Sequence, residues 1–126
     1  MRANDFRRIV LGMEGAVEGA HMGHPDFRVN NRIFATLHHD PEFGMVTLTP
    51  DQQDQFTRAH PDAFVPETGA WGRAGSTRVR LASVDKETLG EAVTLAWQNI
   101  VNKGASTKTR KRSARPVRKP RKRRAR

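Results

Sequence analysis

The chain has no cysteine and no tyrosine, few serines, and not one acidic residue in its last 24 positions. Without cysteine there can be no disulfide, no thiolate nucleophile and no thiolate-ligated zinc. Without long apolar runs there is no candidate membrane span. The N-terminus reads MRANDFRRIVLGM, which places charge inside the first turns, and no stretch approaches the roughly 20 apolar residues that a span requires. No secretory leader pattern is visible, so a soluble, cytoplasmic protein is expected, with association with the nucleoid as one location and no membrane partner. No G-x-S-x-G, phosphate-loop or zinc motif occurs, and the glycine-rich GAVEGAHMG lacks both the phosphate-loop spacing and its lysine. An enzyme is not expected, and no cofactor is implied.

What is present is charge, placed unevenly. Lys and Arg number 23 against 13 Asp and Glu, a formal +10. Residues 1–102 hold ten basic and thirteen acidic side chains, a formal −3, while residues 103–126 hold the other thirteen cations. A mildly acidic body therefore carries a strongly basic tail. From Ser106 onward Val117 is the only large apolar residue, too little to offset ordering entropy, so a disordered tail is expected over 104–126. The body, 1–103, is long enough for one domain.

Within the body, Phe6, Ile9, Val10 and Met13 line one face of a first helix, with Asn4 or Asp5 as its expected cap. Leu89, Val93, Ala96, Trp97, Ile100 and Val101 form the stripe of a last helix, with Asp85 as cap, Val84 and Leu89 as staple and Gly104 as stop. Between them the period becomes two. Phe27 and Val29 alternate with Arg28, Asn30–Asn31 suits a tight hairpin, and RIFATLH, MVTLT and STRVRLA read as further strands. Thr49 and Pro50 open a short helix. The stretch PDAFVPETGAWG reads as a loop, and Trp71 and Trp97 as core or hinge aromatics. Strands bracketed by helices imply α+β: an antiparallel sheet covered by helices on one face.

The segments HMGHPDFRVNNRIFATL, GMVTLTPDQQDQF, AWGRAGSTRVRLASVD and ETLGEAVTLAWQNIVNK, in this order, resemble the MmcQ/YjbR family over about residues 3–103. Phe27-Arg28-Val29 leading to Ile33-Phe34-Ala35, and Trp71-Gly72-Arg73 leading to Val79 and Leu81, are the most specific parts. The resemblance implies a frataxin-like (CyaY-like) fold and DNA binding through a double-wing arrangement of strands and loops. The chain departs from the family pattern at Ser76, where many members carry an aromatic.

The tail is suited to phosphate backbones, since dense positive charge releases counterions and an extended chain follows a groove. Lys108, Arg110, Lys111, Arg112, Arg115, Arg118, Lys119, Arg121, Lys122, Arg123, Arg124 and Arg126 are its candidate contacts. It has no aromatic, so no base preference is expected from it. DNA is favoured over RNA as partner. In the body, Arg73, Arg78 and Arg80 fall in a stretch without acids, and alternation puts Arg78 and Arg80 opposite the core. They can hold a backbone or simply protect a strand edge. The alternative is a protein-interaction or small-ligand module that the tail merely localises to nucleic acid or the ribosome. No metal site is expected: His38 and His39 are adjacent and face opposite ways in a strand, and His21 and His24, three apart, also alternate out of step. The acids Asp5, Glu14 and Glu18 are diluted by Arg7 and Arg8 and do not cluster as hard cations need.

Overall fold

The computed structural model describes residues 1–21, 23–38, 40 and 42–113. In chain order the elements are α1 (Ala3–Leu11), β1 (Val17–His21), β2 (His24–Val29), β3 (Arg32–Leu37), β4 (Phe43–Thr47), α2 (Pro50–Ala59), β5 (Phe64–Pro66), α3 (Gly69–Arg73), β6 (Ser76–Arg80) and α4 (Lys86–Ser113). The six strands form one antiparallel sheet in the order β1-β2-β3-β4-β6-β5. The α+β class is as expected. No helix among the described residues is long and apolar enough to cross a membrane.

The sheet is built from hairpins whose turns the residues dictate. Asn30 and Asn31 both lie at positive φ, 54° and 65°, as a two-residue type I′ turn requires. The turn sets β2 against β3, with Val29 opposite Arg32, and a register shift beyond Arg28 lets Phe27 pair with Ala35. That bulge keeps Phe34 and Ala35 both buried. Across the next strands, Ala35, Val46 and Thr77 form one row, and Leu37, Gly44, Val79 and Phe64 form another. Both rows face α1 and α4, since Phe6 of α1 lies directly against Gly44. The core is completed by Val10, Leu81, Leu89, Val93 and Ala96, all buried.

Caps explain where the helices begin. At α2, Thr49 Oγ1 accepts from the Gln52 backbone N–H at 3.2 Å, and Gln52 Oε1 accepts from the Thr49 backbone N–H at 3.0 Å, a full capping box. Asp85 Oδ1 accepts from the Thr88 backbone N–H at 2.7 Å, and its other oxygen accepts from the Thr88 hydroxyl at 3.0 Å. Both bonds favour the carboxylate, so the Asp85 pKa is lowered. At α1 the capping position is Arg2 rather than Asn4 or Asp5. Asp5 sits at the third helical position and accepts from the Arg2 backbone N–H at 2.9 Å, which lowers its pKa.

Three expectations are corrected. The sequence between Met13 and His24 holds a strand, β1, whose residues Glu18 and Gly19 pair with Phe27 and Asp26. Its glycine content hides the pattern, and pairing to β2 supplies the order. His21 and His24 are therefore direct partners across a hairpin rather than out-of-step positions on one strand. The stretch PDAFVPETGAWG, loop-like in composition, carries β5 and the first part of α3. Finally, α4 continues through Gly104 to Ser113; one glycine costs about 1 kcal/mol against alanine, too little to end a helix by itself. Residues 114–126 lie outside the described residues.

Candidate functional site

The side of the sheet away from α1 and α4 carries a different row: Asp26, Thr36, Met45 and Arg78 stand opposite one another across β2, β3, β4 and β6. Thr36 and Met45 lie on the floor of a groove of about 350 Å³, which Ile33, Thr47 and Ser76 extend. Its wall is the segment linking β5 to β6, contributing Glu67, Thr68 and Trp71, and His24 and His38 also line it.

That wall is held rigidly, and glycine is the reason. A Cβ on Gly72 would collide with the Glu67 carbonyl oxygen, so α3 folds back onto its own lead-in only because the side chain is absent. Gly75 follows at φ +118°, with the Leu48 carbonyl oxygen occupying the space where a Cβ would stand. From α2, the Gln53 side-chain amide donates to the carbonyls of Gly72 and Ser76, both at 3.0 Å, and lies 3.2 Å from the Thr77 hydroxyl. One side chain thus pins the end of α3 and the start of β6 to the neighbouring helix.

Glu67 is the electrostatic centre of the groove. Its Oε1 accepts from Arg78 Nη2 at 3.0 Å, while its Oε2 is 4.0 Å from His38 Nε2. His38 Nδ1 and Arg78 Nε are buried and have no hydrogen-bond partner among the described residues, an unusual state for buried nitrogens. Deeper in the same face Asp26 is fully buried, and Arg28 donates to its two oxygens at 2.9 and 3.0 Å. The hydrogen bonds from Arg28 to Asp26, together with the Asp26 charge, raise the Arg28 pKa. Arg78 and Arg80 both lie over the Phe43 ring, with guanidinium carbons 5.4 and 5.6 Å from its centroid, within range of cation–π attraction.

The expected basic residues are accordingly dispersed in role. Arg73, at the end of α3, and Arg80 are exposed. Arg78 points away from the core as alternation requires, but it is half-buried and committed to Glu67. In the tail, Lys108, Arg110, Lys111 and Arg112 fall within α4, and Arg115, Arg118, Lys119, Arg121, Lys122, Arg123, Arg124 and Arg126 lie outside the described residues. Among the described residues no group of three His, Asp or Glu side chains is placed to hold a metal ion.

Trp71 requires a correction of a different kind. It is 75 % exposed, on the groove wall rather than in the core. Trp97 is partly buried against the core and donates from Nε1 to the Glu14 carbonyl at 2.8 Å. The sequence holds a signal for this contrast: Trp97 has large apolar neighbours at helical spacing, whereas Trp71 stands between Gly69 and Gly72 with only Ala74 three residues on. Glu67 and His38 carry no such signal, because a strand register is needed to bring them together. Ser76 is buried and lines the groove.

Comparison with known proteins agrees with this architecture. No functionally curated protein matches the chain. Among solved structures, the crystal structure of Deinococcus radiodurans protein DR2400, with a DUF419 domain, superposes with a TM-score of 0.69 at 21 % identity, covering 90 % of this chain and 88 % of that one. At that identity the likeness shows the fold alone. The YjbR family model matches residues 11–99, which takes in every strand of the sheet, the groove and most of the packed part of α4. The chain belongs to the YjbR family.

Proposed function

We propose that this protein binds nucleic acid without catalysing a reaction, DNA in preference to RNA, mainly without regard to sequence and through its basic C-terminal segment. The observation that carries this is the segregation of charge: thirteen cations and no acid in residues 103–126, attached to a body of formal charge −3. Such a segment gains affinity by releasing condensed counterions, whatever bases lie beneath. If six of its cations meet phosphates, log K falls with a slope of about −5 against log salt, roughly a 10³-fold loss between 50 and 200 mM.

The body's share would come from Arg73 and Arg80, the exposed members of the β5–β6 region, with Arg32 on the β2–β3 hairpin. In this reading the two hairpins are the two wings of a double-wing arrangement, on a fold of the frataxin (CyaY) type. Support for it comes from the shared face that α1 and α4 cover, which leaves the opposite face open. Arg78 would serve mainly to position Glu67.

The test compares duplex DNA binding across a salt series for the full chain and for a chain whose Lys and Arg residues from 108 to 126 are all glutamine. Because α4 runs past residue 102, neutralisation keeps the helix that truncation would cut. A steep slope that collapses on neutralisation is expected. An unchanged slope would overturn the proposal. Charge reversal at Arg73 and Arg80 then reads the body's part, and unchanged affinity would leave the tail as the sole binding device.

A further inference from the structure

Trp71 is the largest apolar side chain that the fold leaves in solvent, and it is not left there casually. Gly72, Gly75 and Gln53 together fix the segment that carries it. It stands at the wall of a groove whose floor, Thr36 and Met45, is extended by Ile33, Thr47 and Ser76, so that apolar side chains and hydroxyls line it together. The groove also carries hydrogen-bonding groups at its edge: His38 lines it, with its Nε2 4.0 Å from Glu67 Oε2. A volume of about 350 Å³ lies at the small end of the range for ligand clefts, about 300–1,000 Å³. It suits one flat ring rather than an extended ligand.

An exposed aromatic, a lining of apolar side chains and hydroxyls, and an edge of hydrogen-bonding groups describe a site for a planar, hydrogen-bonding heteroaromatic ring. The surroundings narrow the class. Ile33 and Thr47 are shared with a second, more open depression, of about 700 Å³, where Arg28, Asn31, Arg32 and Asn99 lie. Of these Arg32 is exposed and has no carboxylate against it among the described residues, and Arg73 stands two residues beyond Trp71. Exposed cations thus lie near the slot, Arg32 in the adjoining depression and Arg73 on the same short helix as Trp71, while the charge of Glu67 within it is balanced by Arg78. A ring with phosphate attached fits that order.

We infer that the groove between Trp71 and the Thr36–Met45 floor is a nucleobase site, in which a base splayed from a single strand stacks on Trp71 while Arg32 and Arg73 meet the flanking phosphates. The source of the base rests on the nucleic-acid reading above; the recognition chemistry does not, since a free nucleotide presents the same ring and phosphate. Duplex DNA keeps its bases stacked and would not enter. The tail and the groove therefore divide the work: charge holds any backbone, and the groove distinguishes unpaired strands.

The experiment uses the full chain at salt high enough to suppress backbone binding by the tail. Tryptophan fluorescence and anisotropy are followed with an oligothymidylate single strand, the matching duplex, and thymidine and adenosine monophosphates. The expected result is quenching by the single strand that Trp71→Ala abolishes, with single-strand affinity falling roughly 5- to 150-fold, as removal of one stacking platform does. Trp71→Phe keeps most of the affinity, and the duplex gives no quenching in any of the three proteins. Quenching by the monophosphates with no gain from the oligonucleotide would keep the base site and assign it to free nucleotides. Equal single-strand and monophosphate binding by the parent and Trp71→Ala, or no quenching by any probe, overturns the inference. Because Trp71 is exposed, its replacement leaves the core intact. Failure of the tail reading would appear separately, as a salt slope that neutralising the tail does not alter.

Discussion

Gly44 lies in the middle of a strand, where glycine is ordinarily a weakness, and Phe6 explains its presence. An alanine methyl at this position would meet the ζ, δ2 and ε2 carbons of the Phe6 ring at 2.8, 3.1 and 2.6 Å, against an ordinary carbon contact of roughly 3.5–4.0 Å. Phe6 is fully buried, with its ring 6.2 Å from that of Phe27 in an edge-on arrangement, so it has little room to retreat. Gly44→Ala should therefore cost about 1–3 kcal/mol through overpacking, less about 0.5 kcal/mol returned by the stiffer unfolded chain. Phe6→Leu alone should cost about 1–2 kcal/mol as a cavity. Leucine ends at its δ carbons, so it removes the two shortest of the three contacts and leaves space for the new methyl. The double variant should be more stable than the sum of the single effects predicts, by about 1–2 kcal/mol. Urea unfolding followed by circular dichroism measures all four corners of the cycle. Additivity within about 0.5 kcal/mol would refute the assignment of Gly44 to the space that Phe6 occupies.

Three further outcomes follow from the same geometry. Thr49→Ala removes the side-chain acceptor for the Gln52 N–H and should lower stability by about 1 kcal/mol, while Thr49→Ser should be nearly neutral; thermal melts decide between them. Gly72→Ala cannot be accommodated against the Glu67 carbonyl, so it should cost well over about 1 kcal/mol and shift the emission of Trp71 as α3 moves, and an unperturbed spectrum would contradict the rigid wall. The lowered pKa values of Asp5 and Asp85 mean that their stabilisation is fully present above the ordinary carboxylate value of 3.8 and is lost as pH falls through the folded value. Asp85→Asn should accordingly flatten the acid limb of the stability profile and leave the slope above pH of about 6 unchanged, which denaturant melts across pH would show.

Much of the fold is legible in the sequence, because it depends on short-range chemistry. The stripes of α1 and α4, the Asn30–Asn31 turn, and the Thr49 and Asp85 caps each lie within a few residues of the groups they act on. The same holds for the inward placement of Val79 and Leu81, set by alternation alone. Where the cause is distant, local patterns fall short. β1 has weak propensity and exists because β2 pairs with it. α3 is hidden in a loop-like composition because Gly72 is there to fit the Glu67 carbonyl, not to loosen the chain.

The same division holds for function. Charge is additive along a chain, so sequence alone determined that the cations are segregated at the C-terminus and the body is mildly acidic, and with that the class of partner proposed for the tail. It also carried the family, through ordered segments that the family model matches over residues 11–99. Only the tertiary structure decided which charges are free. It set Arg28 on Asp26 and Arg78 on Glu67, neutralising two of the arginines that linear reading would count as basic surface. It also put Trp71, expected as a core or hinge aromatic, on the wall of a groove. Pairing and exposure are set by strand register and backbone close approach, and those bring together residues such as His38 and Glu67 that stand far apart in the chain.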